Sequence, residues 1–355
     1  MAAERLRTIV GHLKGGSMAT AIQVLEDPNI FSGIKAGNAS TNAETAASIA
    51  GRDEATESDT KFRFTLDCSN QMLTPEQRAH YETNGYIVIK NLVPHDELDK
   101  YSKRFDDIVQ RRVHVPGLVV MKDISSKNKD PNEYVINKLQ DIFLDDELFA
   151  YCRTPKILDY VEGFVGPNVM AVHTMLINKP PDSGSLTSRH PLHQDLYYFP
   201  FRPADRIVCA WTALERVNRE NGCLVAVPGS HIGTLREHDY PEWAGGVNKS
   251  FHGIKDVADV MDRRVFLEME KGDTVFFHPV LIHGSGANRS RGFRKAISCH
   301  YAASDCEYID VMGTPQEKIA QEVLELVQRR GIPLDDYRDA WRARAQLVRG
   351  KKITL

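Results

Sequence analysis

Three residues of this chain have the types and spacing to hold a metal ion: His193, Asp195 and His283. In His190-Pro191-Leu192-His193-Gln194-Asp195 the imidazole and the carboxylate are two positions apart. On an extended backbone both therefore point to the same side. A further histidine from a distant strand would complete one face of an octahedron. That two-histidine, one-carboxylate set suits non-haem iron(II) and leaves three positions open. Two histidines compete for the third place, in Phe276-Phe277-His278-Pro279-Val280-Leu281-Ile282-His283-Gly284-Ser285-Gly286. His283 is favoured because it closes an apolar run at a Gly-Ser-Gly turn, where a strand-end ligand can meet a cavity mouth. His278 then has a structural role or supports a ligand from behind. Arg294 follows eleven residues after His283. Hairpin pairing would bring its guanidinium beside the metal, and its planar fork suits one end of a dicarboxylate.

These residues need a scaffold, and the bulk composition allows one. The chain has 355 residues with 42% hydrophobic and 26% charged, enough for one large catalytic domain with extensions or for two small ones. A net charge of −3 argues against a nucleic-acid binder. The six cysteines form no Cys-x-x-Cys pair and read as buried thiols rather than a disulfide framework. No apolar run approaches the ~18 residues of a membrane span.

The first sixty residues differ from the rest. Ala, Ser, Thr, Asn and Gly dominate, and residues 36–59 contain no aromatic side chain, so they cannot bury enough area to order themselves. Residues 1–30 read as a targeting leader, expected to be cleaved, and 31–61 as a flexible linker. Within the leader, Arg5-Leu6, five residues and then His12-Leu13 resemble the N-terminal signal that directs proteins to peroxisomes.

Residues 62–355 read as a single domain. Thr74-Pro75-Glu76-Gln77 predicts a helix start, Gly85 its end, and Tyr86-Ile87-Val88-Ile89 a strand. Helical spacing recurs over 94–112 and is expected over 145–164. From Val169 onward, strand-length runs alternate with turn residues: 169–178, 207–214, 223–228, 265–270, 274–277 and 293–300. Lys271-Gly272-Asp273 reads as a tight hairpin turn between two of them. Many short strands without interleaved long helices predict a mainly β domain with a sandwich or barrel core, and helices return after Thr314.

The His-x-Asp pair, the distal histidine and the arginine eleven residues beyond it together resemble the 2-oxoglutarate oxygenase superfamily. Residues 175–184, 188–195, 221–224 and 281–286 are more specifically similar to the phytanoyl-CoA hydroxylases, peroxisomal enzymes of fatty-acid α-oxidation. The similarity runs from about Phe64 to the C-terminus. It implies a double-stranded β-helix of jelly-roll or cupin-like form, flanked by N-terminal and C-terminal helices. It also implies Fe(II) on His193, Asp195 and His283, with 2-oxoglutarate as cosubstrate and ascorbate as an aid. The implied cosubstrate contacts are Lys138, Met175, Trp211, Ser285 and Arg294, although strand pattern alone would equally make Met175 and Trp211 core. The implied reaction is 2-hydroxylation of phytanoyl-CoA or a related acyl-CoA by dioxygen, coupled to decarboxylation of 2-oxoglutarate to succinate and CO2. Asp195 argues against a halogenating relative. Lys122, Lys127 and Lys129, in the polar stretch 121–130, are candidates to steer coenzyme A phosphates. A peroxisomal import receptor is an implied partner of the leader. Two alternatives are a same-fold hydroxylase of another small molecule and a non-catalytic binding protein.

Overall fold

The computed structural model describes residues 62–355 apart from 70, 123–135, 183, 185–187, 244–245, 248–250 and 330–333. The leader, the linker, Lys127 and Lys129 lie outside the described residues. Helix α1 (Pro75–Asn84) begins as expected. The Thr74 hydroxyl accepts from the Gln77 amide, and the Gln77 side chain accepts in return from the Thr74 amide. Gly85 ends the helix at φ 78°. Strand β1 (Tyr86–Ile89), helix α2 (His95–Val109) and strands β2 (Val119–Lys122) and β3 (Ile136–Gln140) follow.

The helix expected over 145–164 is instead three pieces: a turn at Asp146–Phe149, a 3-10 turn at Ala150–Arg153, and α3 (Pro155–Val165). Pro155 is the reason. It has no amide hydrogen and disfavours helical backbone at the residue before it, and Thr154 sits at φ −56°, ψ 118°.

The strands that follow are β4 (Val169–Lys179), β5 (His190–His193), β6 (Ile207–Ala213), β7 (Leu224–Ala226), β8 (Val265–Leu267), β9 (Thr274–Phe277), β10 (His283–Ser285) and β11 (Arg294–Ala303). Helices α4 (Glu317–Arg329) and α5 (Tyr337–Arg344) precede a last strand, β12 (Gln346–Arg349), which the sequence pattern did not suggest. An eight-stranded sheet runs β1-β9-β6-β11-β4-β3-β2, with β12 pairing the start of β4; a four-stranded sheet runs β8-β7-β10-β5. All these pairings are antiparallel. The two sheets face one another as a double-stranded β-helix, and helices cover the outer side of the larger one.

Alternation assigns the faces. Every residue of β6 is buried, yet Cys209, Trp211 and Ala213 join the core between the sheets, whereas Val208 and Ala210 join the core under the helices. On β9, Val275 and Phe277 face the smaller sheet, and Phe276 stacks on Tyr160 and Phe164 of α3 with ring centroids 5.6 Å apart.

Lys271-Gly272-Asp273 does not close a hairpin. Strand β8 pairs with β7 and β9 with β1 and β6, so this turn carries the chain from one sheet to the other. The Asp273 carboxylate secures it by accepting from the amides of Asn91 and Glu270 and from the Lys90 ammonium.

Because Phe276 is the aromatic hinge between the large sheet and α3, Phe276→Ala should lower unfolding free energy by about 3–5 kcal/mol in urea titration. A loss under ~1 kcal/mol would mean that α3 contributes little to the fold.

Candidate metal centre

The smaller sheet brings the ligand-type side chains to one point. Strands β10 and β5 pair so that His283 lies directly opposite His193. Strand β5 ends at His193, Gln194 stays extended, and Asp195 opens a 3-10 turn, so alternation keeps Asp195 on the side of His193. Gln194 points the other way and is fully engaged. Its amide group donates to the carbonyls of Thr234 and Val280, and its side-chain oxygen accepts from the Arg236 amide.

Each ligand imidazole is oriented by its own backbone. Nδ1 of His193 donates to the Pro191 carbonyl at 2.9 Å, and Nδ1 of His283 donates to the Leu281 carbonyl at 3.0 Å. These bonds leave both Nε2 atoms as lone pairs, 3.3 and 3.6 Å from the two Asp195 oxygens. Three electron-rich atoms facing one another with no proton between them call for a cation. Adjacent ligands on an octahedral ion with ~2.1 Å bonds lie about 3 Å apart, so the set fits a transition-metal ion.

Electrostatics agrees. Burial pushes the Asp195 carboxyl up, but His283 and His300 outweigh it and hold the group well below the usual carboxylate range. Burial pushes the His283 imidazole down to about 4, so it stays neutral and able to coordinate. His300 donates from Nε2 to Asp195 Oδ2 at 2.8 Å, fixing the carboxylate from behind.

The centre opens into a cavity of about 120 Å³ between the sheets. That is well under the ~300–1,000 Å³ of pockets that take drug-sized ligands, and it suits a small organic acid. Lys138, Met175, Trp211, Ser285 and Arg294 all line it, so the structure gathers every residue that the sequence reading assigned to the cosubstrate. Arg294 does not arrive by hairpin pairing with His283, as expected, because the two lie in different sheets. Arg294 pairs across to Lys179 on β4, while His283 pairs with His193 and Ala226. The guanidinium reaches the centre across the gap between the sheets.

Arg294 is 1% exposed; its Nη2 donates to the Gly222 carbonyl at 2.7 Å, while its Nε has no partner among the described residues. Its guanidinium carbon lies 5.3 Å from the Trp211 ring centroid, and burial pushes the group down to about 10. Burial likewise pushes Lys138 down to about 8.

The sequence of the chain resembles known proteins along most of its length. The pattern of the family described as phytanoyl-CoA dioxygenase (PhyH) matches residues 81–296. The peroxisomal phytanoyl-CoA dioxygenase of Rattus norvegicus is 57% identical over 299 residues, covering 83% of this chain and 88% of the rat protein. The chain belongs to the phytanoyl-CoA dioxygenase family. The Homo sapiens protein of that name is 56% identical over 299 residues, with the same coverage. Among solved structures, the epimerase SnoN in complex with Fe3+, alpha ketoglutarate and nogalamycin RO superposes with a TM-score of 0.52 at 22% identity. The match covers 66% of this chain and 85% of SnoN. At that identity the likeness establishes the shared fold.

In this dioxygenase-family chain, the sequence reading missed Lys179 and His300 as cavity residues. Both lie in register with residues it did find. Positions 175, 177 and 179 share one face of β4, and 294, 296, 298 and 300 share one face of β11. His190, left unassigned, stacks on His193 at 4.3 Å between ring centroids. His278 lies away from the centre, with its Nε2 3.4 Å from Asp205 and its ring against Phe64. Lys122 ends β2 and is absent from the cavity lining.

The Gly222 carbonyl that seats Arg294 belongs to a residue at φ 79°, and a Cβ there would lie 2.6 Å from the Gly286 carbonyl oxygen. Gly222→Ala should therefore destabilise the fold by about 1–3 kcal/mol through backbone strain. Arg294→Gln should leave the Gly222 turn unstrained. Comparing the two variants by thermal denaturation checks this, and equal melting of Gly222→Ala and the parent would refute it.

Proposed function

We propose that this chain is an iron(II)- and 2-oxoglutarate-dependent dioxygenase that hydroxylates C2 of phytanoyl-CoA and related acyl-CoA thioesters. In this reading His193, Asp195 and His283 hold the iron. The observation that carries it is the convergence of three lone-pair-bearing atoms beside the buried guanidinium of Arg294, which lies opposite Lys179 across β11 and β4. Burial and the Arg294 charge push the Lys179 ammonium well down, so an anion bound beside the pair would favour its protonated form.

When bound, iron and 2-oxoglutarate supply the oxidising chemistry: one oxygen atom enters the substrate, the other succinate, and CO2 leaves. The protein residues bind and orient. Arg294, whose Nε has no partner among the described residues, would hold the far carboxylate of 2-oxoglutarate with its fork. The Lys179 ammonium donates to Ser285 Oγ and to the carbonyls of Ser188 and Gly286, so the Ser285 hydroxyl keeps its own proton to donate to the same carboxylate. Lys138 adds positive charge from the rim of the cavity, and Met175 and Trp211 wall it against water. Peroxisomal localisation through the 1–30 leader and an import receptor belongs to the same reading. Its support is the Arg5-Leu6 to His12-Leu13 pattern and the names of the rat and human relatives. Ascorbate is proposed to keep the iron reduced.

Succinate release with iron(II), 2-oxoglutarate and dioxygen should rise when phytanoyl-CoA is added. His193→Ala should abolish the release, and Arg294→Ala should raise the KM for 2-oxoglutarate about tenfold or more, as expected for a lost charge-assisted bond. Stimulation by a free acid but not by the thioester would transfer the activity to another substrate.

The Lys138 ammonium loses its proton as pH rises through about 8, which removes positive charge from the cavity. Affinity for 2-oxoglutarate should thus be full below that pH and weaken above it. Lys138→Met should bind more weakly at neutral pH with a flatter profile. Calorimetric titration at several pH values decides, and an unchanged slope in Lys138→Met would remove Lys138 from the binding site.

A further inference from the structure

At the lip of the cavity, alternation sends neighbouring side chains to opposite sides of the smaller sheet. Ser188 and His190 line the inner cavity, whereas Arg189 between them lines a second cleft, of about 760 Å³. The cleft is on the outer face: Val225 and Phe266 border it, while their neighbours Leu224, Ala226 and Leu267 pack between the sheets. His190 and Ser285 are a register pair at the end of β5 and β10, and they border both spaces. A ligand can therefore lie across this lip with one end in each.

The outer cleft is built for anions. Arg189, Arg264 and Arg289 line it and are exposed. Among the described residues, neither Arg264 nor Arg289 has a carboxylate within ion-pair distance, and Arg264 Nε donates only to the Met261 carbonyl. Partial burial and the neighbouring Arg264 charge both push the Arg189 guanidinium down. Of the two acids in the cleft, Asp239 is neutralised by Lys318 and by Lys255 at 3.9 Å, and Glu242 is exposed. Phe266 and Met261, 41% and 37% exposed, form an apolar wall beside the arginines.

We infer that this cleft binds the phosphate-bearing end of the acyl-CoA substrate, with arginine forks on the diphosphate and 3′-phosphate and the base against Phe266 and Met261. The inference rests on the acyl-CoA dioxygenase reading above. The thioester end crosses the His190–Ser285 lip towards the metal centre. Guanidinium is the group suited to bidentate phosphate contacts, and its exposure here makes the interaction sensitive to salt.

The test compares the full chain with the Arg264→Ala/Arg289→Ala double variant on two substrates: phytanoyl-CoA, and phytanoyl-pantetheine, which has the thioester but no phosphates. The expected result is a KM for phytanoyl-CoA raised at least about tenfold in the variant, with kcat little changed. The KM for phytanoyl-pantetheine should be equal in the two proteins. Adenosine 3′,5′-bisphosphate should compete with phytanoyl-CoA in the parent and not in the variant. An unchanged KM for phytanoyl-CoA overturns the cleft assignment while leaving thioester-stimulated turnover intact. If neither thioester stimulates the parent, the functional reading fails instead. Calorimetry with adenosine 3′,5′-bisphosphate then decides the cleft alone: binding that the double variant loses supports a phosphate site, and no binding in the parent overturns it.

Discussion

The pairing of β10 with β5 places His283 opposite His193, and everything at the metal centre depends on that register. Side chains alternate along a strand, so a slip of one residue would turn the His283 imidazole to the outer face and leave His193 and Asp195 without the third side chain of the set. Gly284 protects the register from within, because a Cβ there would lie 2.9 Å from the carbonyl oxygens of His190 and Pro191. The backbones can approach this closely only without a side chain. Each ring is oriented separately, through its Nδ1 hydrogen, by the carbonyl two residues before it, that of Pro191 or Leu281. The meeting point thus follows from the strand pairing, and the tautomers from the local backbone.

A second constraint is charge. The cavity buries one carboxylate, Asp195, with the Arg294 guanidinium and the Lys179 amino group, and Lys138 at its rim. Buried charges are costly unless paired, and leaving one unpaired costs several kcal/mol. Lys179 is satisfied by three oxygen acceptors, whereas Arg294 keeps a nitrogen unpartnered among the described residues. The fold accepts this unfavourable arrangement because the two sheets over-determine it: Arg294 is anchored by the Gly222 carbonyl and by the long β11–β4 ladder. A ligand that supplies the missing negative charge stabilises the folded protein by mass action.

His-x-Asp put two ligand-type side chains on one side because period-two alternation is a local property; the Gly284-Ser285 pair expected to turn after His283 instead continues its strand. Thr74 to Gln77 and Gly85 announced α1 because caps act within one helical turn. Pro155 could have corrected the single helix expected over 145–164, since its effect on Thr154 is equally local. Local chemistry of this kind is what a sequence can decide alone: residue types, their spacing, helix starts and stops, and which side chains share a face.

What only the tertiary structure decided is the partner of each face. Lys271-Gly272-Asp273 has the composition of a hairpin turn, yet it links two sheets, because strand pairing is settled by burial on both faces rather than by the turn. Arg294 reaches the centre from the opposite sheet, not along a hairpin, and Lys179 and His300 join it there. Nothing within a short window of sequence encodes which strands will face each other, because that depends on packing two sheets around one core. The sequence by itself determined the ligand chemistry, and the sheet-on-sheet packing determined where that chemistry meets.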